Sequence, residues 1–437
     1  MEDFKQPMLK QVHFKPEHYE VGIVAVLFIL VNGLTWAFQT PVSRNGGTGE
    51  DGQFYFAVAR QLMEHQTPST RSPFVYRMGT PLLAVQTSDL LRIDLLSSFK
   101  VVNLAANGLS TFLLLLWLRP QIGNWKVRVL MLGLFITQWH GPVRFVWFNP
   151  VYVDPWSLVL MFAGLITIRW SAGQKYRRVV LLSLLTLAGV VFKEILLLLP
   201  VAFLFHPNPV QFRKGSWQIS LPPAVNFAPL LIGAVVLFGF RQLAAPTNDY
   251  TVIGFAANMF LAKKPWTYLH GILLAFGPVW ALIILDWKSC LSFLKNYQYQ
   301  AIYLAALAGL AWAGGTDTER IFFWAAPVMY GLLGRAVERL WPRLAAAFWP
   351  GVLLAVSQAV SQRLFWTLPD PDWSSPVDRQ TYFNLYSYFA DRPVALASLF
   401  GHGLVVLLIV SWFTVQSLGR REPAAETGQP PARGETE

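Results

Sequence analysis

Charged side chains occupy a few isolated positions in a chain that is otherwise strongly apolar. The stretch GTGEDGQFYF at 49–58 sets two carboxylates, Glu50 and Asp51, side by side. A carboxylate can take a proton from a hydroxyl group, whereas arginine and lysine side chains can hold a phosphate. Both kinds of group recur along the chain, which indicates a site that binds an anion and also moves a proton. The candidates are Glu50, Asp51, Arg77, Asp154, Lys193, Glu194, Asp317 and Arg320.

The composition indicates an integral membrane protein. Of the 437 residues, 54% are hydrophobic and only 14% are charged, whereas a soluble domain carries about 25% charged residues. Apolar runs of about 20 residues, enough to cross a bilayer core of about 30 Å, recur from end to end. The net charge of +11 is spread over short loops, where Lys and Arg set the orientation of the chain. It therefore does not indicate nucleic acid as a partner.

We predict an all-α fold, a polytopic transmembrane bundle of about 11–13 helices. A cytoplasmic segment at 1–20 precedes the transmembrane domain at 21–416, and a polar, Pro- and Gly-rich tail at 417–437 is expected to be disordered and cytoplasmic. The predicted spans lie near 21–38, 98–118, 127–143, 154–170, 179–205, 227–243, 269–286, 299–313, 321–334, 344–364 and 393–416.

The run at 179–205 fits either one long helix or a hairpin of two short ones. A single helix would place Lys193 and Glu194 in its middle, where each charge costs about 2.5–3.5 kcal/mol. If the chain turns back at Lys193, the basic loops that follow fall on the same side as the basic N-terminal segment. The positive-inside rule therefore favours a hairpin with Lys193 and Glu194 at its outer tip and both termini in the cytoplasm.

The first outer loop, 39–97, carries the acidic pair. Within it, the stretch 51–66 places Phe54, Val58 and Leu62 at roughly helical spacing. This spacing predicts an amphipathic helix on the membrane surface, with its aromatic residues facing lipid. All of the candidate charges fall on this same outer face in the predicted topology.

Several candidates also have a purely structural explanation. Asp51 could cap the helix that begins beside it. Lys193 and Glu194 could pair with each other at the hairpin tip. Asp317 and Arg320 are spaced i and i+3, so they could form an ion pair across one helical turn.

Four short motifs follow one another in a recognisable order. EDGQFYF at 50–56 comes soon after the first transmembrane helix, and YRMGTP follows at 76–81. FKE at 192–194 interrupts an apolar run, and TDTER lies at 316–320. This order resembles the GT-C superfamily of membrane glycosyltransferases, in particular bacterial members without a large soluble domain. The resemblance covers most of the chain, although each motif is short.

The resemblance implies an enzyme of the bacterial cytoplasmic (inner) membrane. It would move a hexose or pentose from a polyprenyl-phosphate carrier to a glycan, lipid or protein acceptor on the outer face, inverting the anomeric carbon. Asp51 would be the general base. Arg77, Lys193 and Arg320 would bind the donor phosphate and stabilise it as it leaves.

The remaining acids would support this site. The resemblance assigns Glu50, Asp154, Glu194 and Asp317 a supporting role and does not specify a cofactor. If a divalent cation such as magnesium or manganese takes part, Glu50 and Asp51 are its candidate ligands, because hard cations prefer carboxylate oxygens.

Two other classes of function are compatible with a polytopic membrane protein. A transporter or lipid-carrier flippase would place polar residues near mid-membrane and often shows an internal repeat. Here the charges cluster at one face and no repeat is evident. A non-catalytic membrane scaffold subunit would tolerate the loss of Asp51.

Overall fold

Nearly every apolar run of the sequence forms a helix. The computed structural model describes residues 16–170, 174–207, 209–213 and 216–419. The helices in this part of the chain are α1 Pro16–Phe38, α2 Arg44–Gly47, α3 Gly52–Met63, α4 Gly79–Leu91, α5 Leu95–Leu118, α6 Trp125–Thr137, α7 Pro142–Phe148, α8 Asp154–Trp170, α9 Lys175–Phe192, α10 Leu198–Phe203, α11 Ala228–Gln242, α12 Val252–Ala262, α13 Pro265–Phe276, α14 Trp280–Leu285, α15 Trp287–Asn296, α16 Gln298–Ala313, α17 Thr318–Phe323, α18 Ala326–Ala346, α19 Phe348–Ser361, α20 Pro376–Phe383 and α21 Arg392–Gly419. Short 3-10 turns lie at Phe74–Tyr76, Glu194–Leu197, Ala224–Phe227 and Gly277–Val279.

Five helical segments among the described residues are long and apolar enough to cross a membrane. They are Tyr19–Phe38, Leu95–Leu118, Ala224–Gln242, Pro265–Leu285 and Arg392–Gln416. Other predicted spans are shorter helices or pairs of helices. The predicted span at 127–143, for example, ends as a helix at Thr137, and Gly141 is extended before Pro142 opens α7. Gln138 is also extended, and Gly141 precedes a proline, a position at which the helical conformation is disfavoured, so α6 does not continue into α7.

A small β-ribbon departs from the predicted all-α fold. Strands β1 Val210–Arg213 and β2 Ser216–Ile219 pair antiparallel between α10 and α11, with Val210 opposite Ile219. β-branched and aromatic residue types recur in this segment and favour extended backbone over helix.

The chain reverses direction at Lys193, as the loop charges predicted. Helix α9 ends at Phe192, and the residues that follow return along it. A β-carbon on Gly189 would lie 2.8 Å from Cβ of Leu196, so the returning chain passes close to α9. Farther back along α9, the Arg178 guanidinium lies 6.0 Å from the ring centroid of Phe203. The segment 179–205 is therefore a hairpin and not one helix.

The span Pro265–Leu285 is broken in its middle. Gly277 has φ +74°, a left-handed conformation that favours glycine, and it separates α13 from α14. Side-chain amides from α19 bind the carbonyl groups that the break exposes: Gln358 donates to Phe276 O at 3.0 Å and Gln362 to Leu274 O at 3.4 Å. Such side chains make a broken helix tolerable inside an apolar bundle.

The two ends of the bundle carry different polar groups. At the end where α8 begins and α9 ends, here called the site end, the side chain of Asn103 donates to the carbonyl groups of Pro150 and Tyr152. At the other end, here called the basic end, buried Glu20 pairs with Arg119 and Arg128. Helix α5 connects the two ends without a break and has 24 residues. At 1.5 Å per residue, the ends are about 35 Å apart.

Candidate active site

All eight candidate residues lie at the site end, on elements that converge there from distant parts of the chain. Glu50 and Asp51 precede α3, Arg77 follows the turn at Phe74–Tyr76, and Asp154 is the first residue of α8. The reversal after α9 contributes Lys193 and Glu194, and the start of α17 contributes Asp317 and Arg320.

Arg320 is the centre of this cluster because its guanidinium faces three carboxylates. Its nitrogens lie 2.7 Å from Asp317, 3.4 Å from Asp154 and 3.6 Å from Asp51. The same guanidinium lies 5.6 Å from the ring centroid of Tyr152. Residues from three separate segments are thereby connected through one cation.

Behind Arg320, a buried ion pair joins α8 to the end of α9. The ammonium of Lys193 donates to Oδ1 of Asp154 and lies 4.1 Å from the ring centroid of Trp324. Only 2% of Asp154 and 4% of Lys193 is exposed. The second carboxylate oxygen of Asp154 faces Nε of Arg320, but neither atom has a hydrogen-bond partner.

A second ion pair lies beside the first. Arg77 donates to both carboxylate oxygens of Glu194, with Nε 2.9 Å from Oε2, and its Nη1 donates to the Tyr55 hydroxyl at 3.0 Å. The prediction that the aromatic residues of α3 face lipid is therefore wrong for Tyr55, which is buried. Burial raises the pKa of Tyr55 to about 12, so this phenol is a neutral hydrogen-bond partner.

The structure shows which of the purely structural roles considered for these residues are present. Lys193 and Glu194 do not pair with each other, because the backbone at Lys193 is extended and each side chain has another partner. The ion pair between Asp317 and Arg320 is present. Asp51 occupies the N-cap position of α3, but its side chain makes no capping hydrogen bond.

Asp51 lines a pocket with a volume of about 340 Å³. The charged part of its lining comes from Glu50, Asp51, Asp317 and Arg320. The opposite part, here called the aromatic wall, consists of Phe145, Phe148, Trp373, Tyr382, Phe383, Tyr386 and Phe389. The pocket therefore places a carboxylate and a guanidinium against a largely apolar, ring-lined surface.

The predicted phosphate site of three cations is only partly formed. Arg320 lines the pocket, whereas Arg77 and Lys193 do not and are held by Glu194 and Asp154. Buried cations are stable only when counter-charges accompany them, and the neighbouring carboxylates provide these. Of the three predicted cations, Arg320 is therefore the one that the pocket exposes to a ligand.

The backbone before α3 is shaped by two glycines that set the position of Asp51. Gly49 has φ +74°, a conformation that side chains rarely adopt. A β-carbon on Gly52 would lie only 2.9 Å from the carbonyl oxygen of Val151. This close approach holds Asp51 next to the segment that leads into Asp154.

Loop contacts hold the aromatic wall over the pocket. The Gln39 side chain exchanges two hydrogen bonds of 2.8 Å with the backbone of Leu368, and Ser43 N donates to Asp370 at 3.1 Å. Arg144 donates to the carbonyl groups of Thr137, Gln362, Arg363 and Trp366. Sequence reasoning did not assign this wall to the site, although the density of Trp, Tyr and Phe at 373–389 was a visible signal.

Two further titratable residues that the sequence did not assign to the site support α17. Glu319 is completely buried and accepts hydrogen bonds from the hydroxyl and the backbone N–H of Ser387. The ammonium of Lys263 donates to the carbonyl groups of Ala311 and Gly315, at 2.6 Å each, and to the Thr318 hydroxyl at 2.9 Å. These contacts fix the turn that presents Asp317 and Arg320.

The surroundings of Asp51 favour a carboxylate that can accept a proton. Its side chain is 42% exposed to the pocket, yet protein encloses it on the other sides. Burial raises the pKa of Asp51 above its usual range, Arg320 opposes this rise, and Asp317 adds to it. A pKa closer to the working pH makes a carboxylate a better general base.

The residues suggested for a divalent cation do not form a suitable donor set. Glu50 pairs with Arg44, and Asp51 faces Arg320. Burial raises the pKa of Glu50, against the lowering effect of Arg44. No three His, Cys, Asp or Glu side chains are grouped as metal ligands anywhere in the described part of the chain. Each of these two carboxylates is opposed by an arginine, so a cation bound between them would have to replace an existing ion pair.

The arrangement can hold an anion, remove a proton and exclude water from one side of a small ligand. The chain matches no protein-family model, no curated protein and no solved structure. Its function is therefore inferred from the pocket, from the groups that face it and from the helices that are long and apolar enough to cross a membrane.

Proposed function

We propose that this protein is a membrane glycosyltransferase of the GT-C type, which transfers a sugar from a polyprenyl-phosphate carrier to an acceptor hydroxyl. The observation that carries the proposal is the position of Asp51, 3.6 Å from Arg320 in a pocket with an aromatic wall. This combination supplies a base, a cation for a phosphate and a surface for a sugar ring at the end of an apolar helical bundle.

The reaction is a single displacement with inversion. Asp51 takes the proton of the acceptor hydroxyl, whose oxygen forms a bond to the anomeric carbon. The bond from that carbon to the phosphate oxygen breaks, and the carrier phosphate leaves with the electron pair. Arg320 stabilises the charge on the phosphate, with its contact to Asp317 giving way to the ligand.

The aromatic wall suits the sugar. Aromatic faces pack well against the apolar face of a pyranose or furanose ring, and the hydroxyl groups of Tyr382 and Tyr386, 2.7 Å apart, offer polar contacts. The volume of about 340 Å³ lies at the small end of the range for ligand pockets, which fits one sugar unit better than a long glycan.

We infer that the site end faces the outside of the bacterial inner membrane. The exposed cations Lys126, Arg177 and Arg343 lie at the basic end, and the positive-inside rule assigns such an end to the cytoplasm. Cysteines placed singly at Glu50 and at Ser292 in a Cys290→Ser background test this orientation. A membrane-impermeant thiol reagent applied to intact cells should label only the first.

The substitution Asp51→Asn tests the proposed base. It should lower the amount of transferred sugar by roughly a hundredfold or more, the usual contribution of general-base catalysis. Polyprenyl-linked sugar should accumulate in cells that depend on the variant. Asp89→Asn is the matched control, because Asp89 is exposed on α4 in the same loop and does not line the pocket. A folded Asp51→Asn variant with a wild-type glycan profile would refute the assignment.

A further inference from the structure

A second charged recess lies at the basic end of the bundle, away from the candidate active site. It has a volume of about 970 Å³ and lies between α15 and the second half of α18. Because the length of α5, about 35 Å, separates it from the site end, it cannot share a ligand head group with Asp51. We call this recess the basic groove.

One face of α18 supplies a row of three arginines to the basic groove. Arg335, Arg339 and Arg343 are spaced four residues apart and all line the recess. Residues at this spacing lie on the same side of a helix, about 6 Å apart along its axis. The row can therefore present several guanidinium groups to one extended anion.

The charges in the basic groove are not balanced. Asp286 is the one carboxylate in its lining, and it lies 3.5 Å from Nε of Arg339. Arg339 also donates to the Ser289 hydroxyl at 2.7 Å. Within the described residues, no carboxylate lies within ion-pair distance of Arg335, Arg343 or the lining residue Lys288. This contrasts with the site end, where every candidate cation has a carboxylate partner.

Helix α15 places the basic groove at the boundary between polar and apolar surroundings. Trp287 and Leu291, one turn apart, are exposed, and Trp287 lines the groove together with Lys288, Ser289 and Ser292. Trp341 of α18, two residues before Arg343, is also exposed. Exposed tryptophan beside basic residues is typical of the level at which lipid head groups lie.

We propose that the basic groove binds the phosphate-bearing head group of an anionic phospholipid. The guanidinium groups of Arg335 and Arg343 bind the phosphate oxygens, and the acyl chains lie along the exposed apolar side of α15. Phosphate is the ligand that arginine recognises through paired hydrogen bonds, and basic pockets at a membrane interface select anionic head groups. This site is independent of the transfer reaction proposed for the other end.

The test uses the full-length protein in a non-ionic detergent and follows its melting temperature as dioleoyl phosphatidylglycerol is added. Dioleoyl phosphatidylcholine and inorganic phosphate are added in parallel. The variant Arg335→Gln/Arg343→Gln removes two charges from the groove, whereas Lys126→Gln/Arg177→Gln removes two exposed charges from the same end but outside it. If the groove variant melts lower than the wild type without lipid, the exposed Arg343→Gln change alone replaces it.

We expect phosphatidylglycerol to stabilise the wild type and the control variant alike. Loss of two interfacial cations should weaken its apparent affinity for the groove variant by roughly thirtyfold. The proposal is overturned if both double variants weaken equally, because the effect would then be general surface charge. Equal stabilisation by phosphatidylcholine, or by inorganic phosphate at the same concentration, would also overturn it.

Discussion

Asp154 and Lys193, which are 39 residues apart in sequence, form a buried ion pair that joins the start of α8 to the end of α9. Arg320 faces the free oxygen of the same carboxylate from α17. The carboxylate of Asp154 thus connects α8, α9 and α17, and Asp51 contacts this group of residues through Arg320. The geometry of the proposed base therefore depends on a charge pair that does not line the pocket.

Removing one member of this pair should be more harmful than removing both. Lys193→Met leaves Asp154 buried with only the looser contact to Arg320, and breaking a buried pair costs about 3–5 kcal/mol. Asp154→Asn/Lys193→Met leaves no buried charge of the pair without its partner, so it should recover much of the lost stability. Thermal unfolding in detergent, followed by tryptophan fluorescence, measures the stability of the single and the double variants.

Arg44→Met is the control for this comparison. It breaks the half-exposed pair with Glu50, and pairs of this kind contribute about 1 kcal/mol or less. The single variant Asp154→Asn completes the comparison. If the double variant loses as much stability as Asp154→Asn and Lys193→Met together, the pair is not coupled and this explanation is wrong.

Much of the helical architecture follows from simple sequence patterns. The ion-pair partners of the charged residues cannot be predicted from such patterns. Apolar runs and loop charges predicted the bundle and the hairpin at Lys193. The partners of Lys193 and Glu194 depend on an extended backbone at one residue and on how α4 and α8 pack beside it. Those are long-range contacts that local spacing does not encode.

The residues that line the pocket could likewise be predicted only in part from the sequence. The acidic pair was visible in the sequence, but five of the seven rings of the aromatic wall come from residues more than 300 positions later. Its location depends on the exchange of hydrogen bonds between Gln39 and Leu368. Arg77 and Lys193 were predicted to contact phosphate because cations attract anions, whereas in the structure they pair with Glu194 and Asp154 and do not line the pocket.

The pH dependence of transfer should report the carboxylate of Asp51 and its neighbour Arg320. The base acts in its deprotonated form, so the rate should fall as the pH decreases through the raised pKa of Asp51. Because Arg320 lowers this pKa, Arg320→Gln should move the acidic limb to higher pH. It should also slow transfer by about 10²–10³-fold, the effect of removing one transition-state donor.

Arg320→Lys separates these two effects. It keeps the positive charge, so the acidic limb should stay near its wild-type position, while the loss of the planar guanidinium still slows transfer. Initial rates with a polyprenyl-phosphate sugar across a range of pH would measure both the position of the acidic limb and the rate of transfer. An unchanged pH profile in Arg320→Gln would show that Asp51 is not the group that titrates.

Arg144 should stabilise the loop that carries the aromatic wall. Its guanidinium donates to the carbonyl groups of Gln362, Arg363 and Trp366, where α19 ends and that loop begins. Arg144→Gln cannot span these acceptors and should cost roughly 2–3 kcal/mol, since hydrogen bonds from charged donors contribute about 1.5–3 kcal/mol. Limited proteolysis should cut faster at 363–375, with Arg60→Gln, an exposed arginine on α3, as the control. Equal cutting of both variants would contradict this role.

Glu319 should make the stability of the fold depend on pH near neutrality. Burial, together with the nearby Asp317, raises the pKa of Glu319 to about 7. The folded chain therefore holds a proton that the unfolded chain releases near pH 4.5, and the stabilisation is complete below that pH. It is lost as the pH rises through 7, by an amount on the order of 3 kcal/mol.

Glu319→Gln should flatten this dependence. The amide is neutral at every pH and can still accept the hydrogen bond from the Ser387 hydroxyl. Melting temperatures between pH 5 and 8 should therefore fall for the wild type and stay nearly level for the variant. Glu64→Gln, at an exposed position after α3, should keep the wild-type slope. A wild-type slope in Glu319→Gln would mean that another group binds the proton, and the support of α17 by Glu319 would then be independent of its charge.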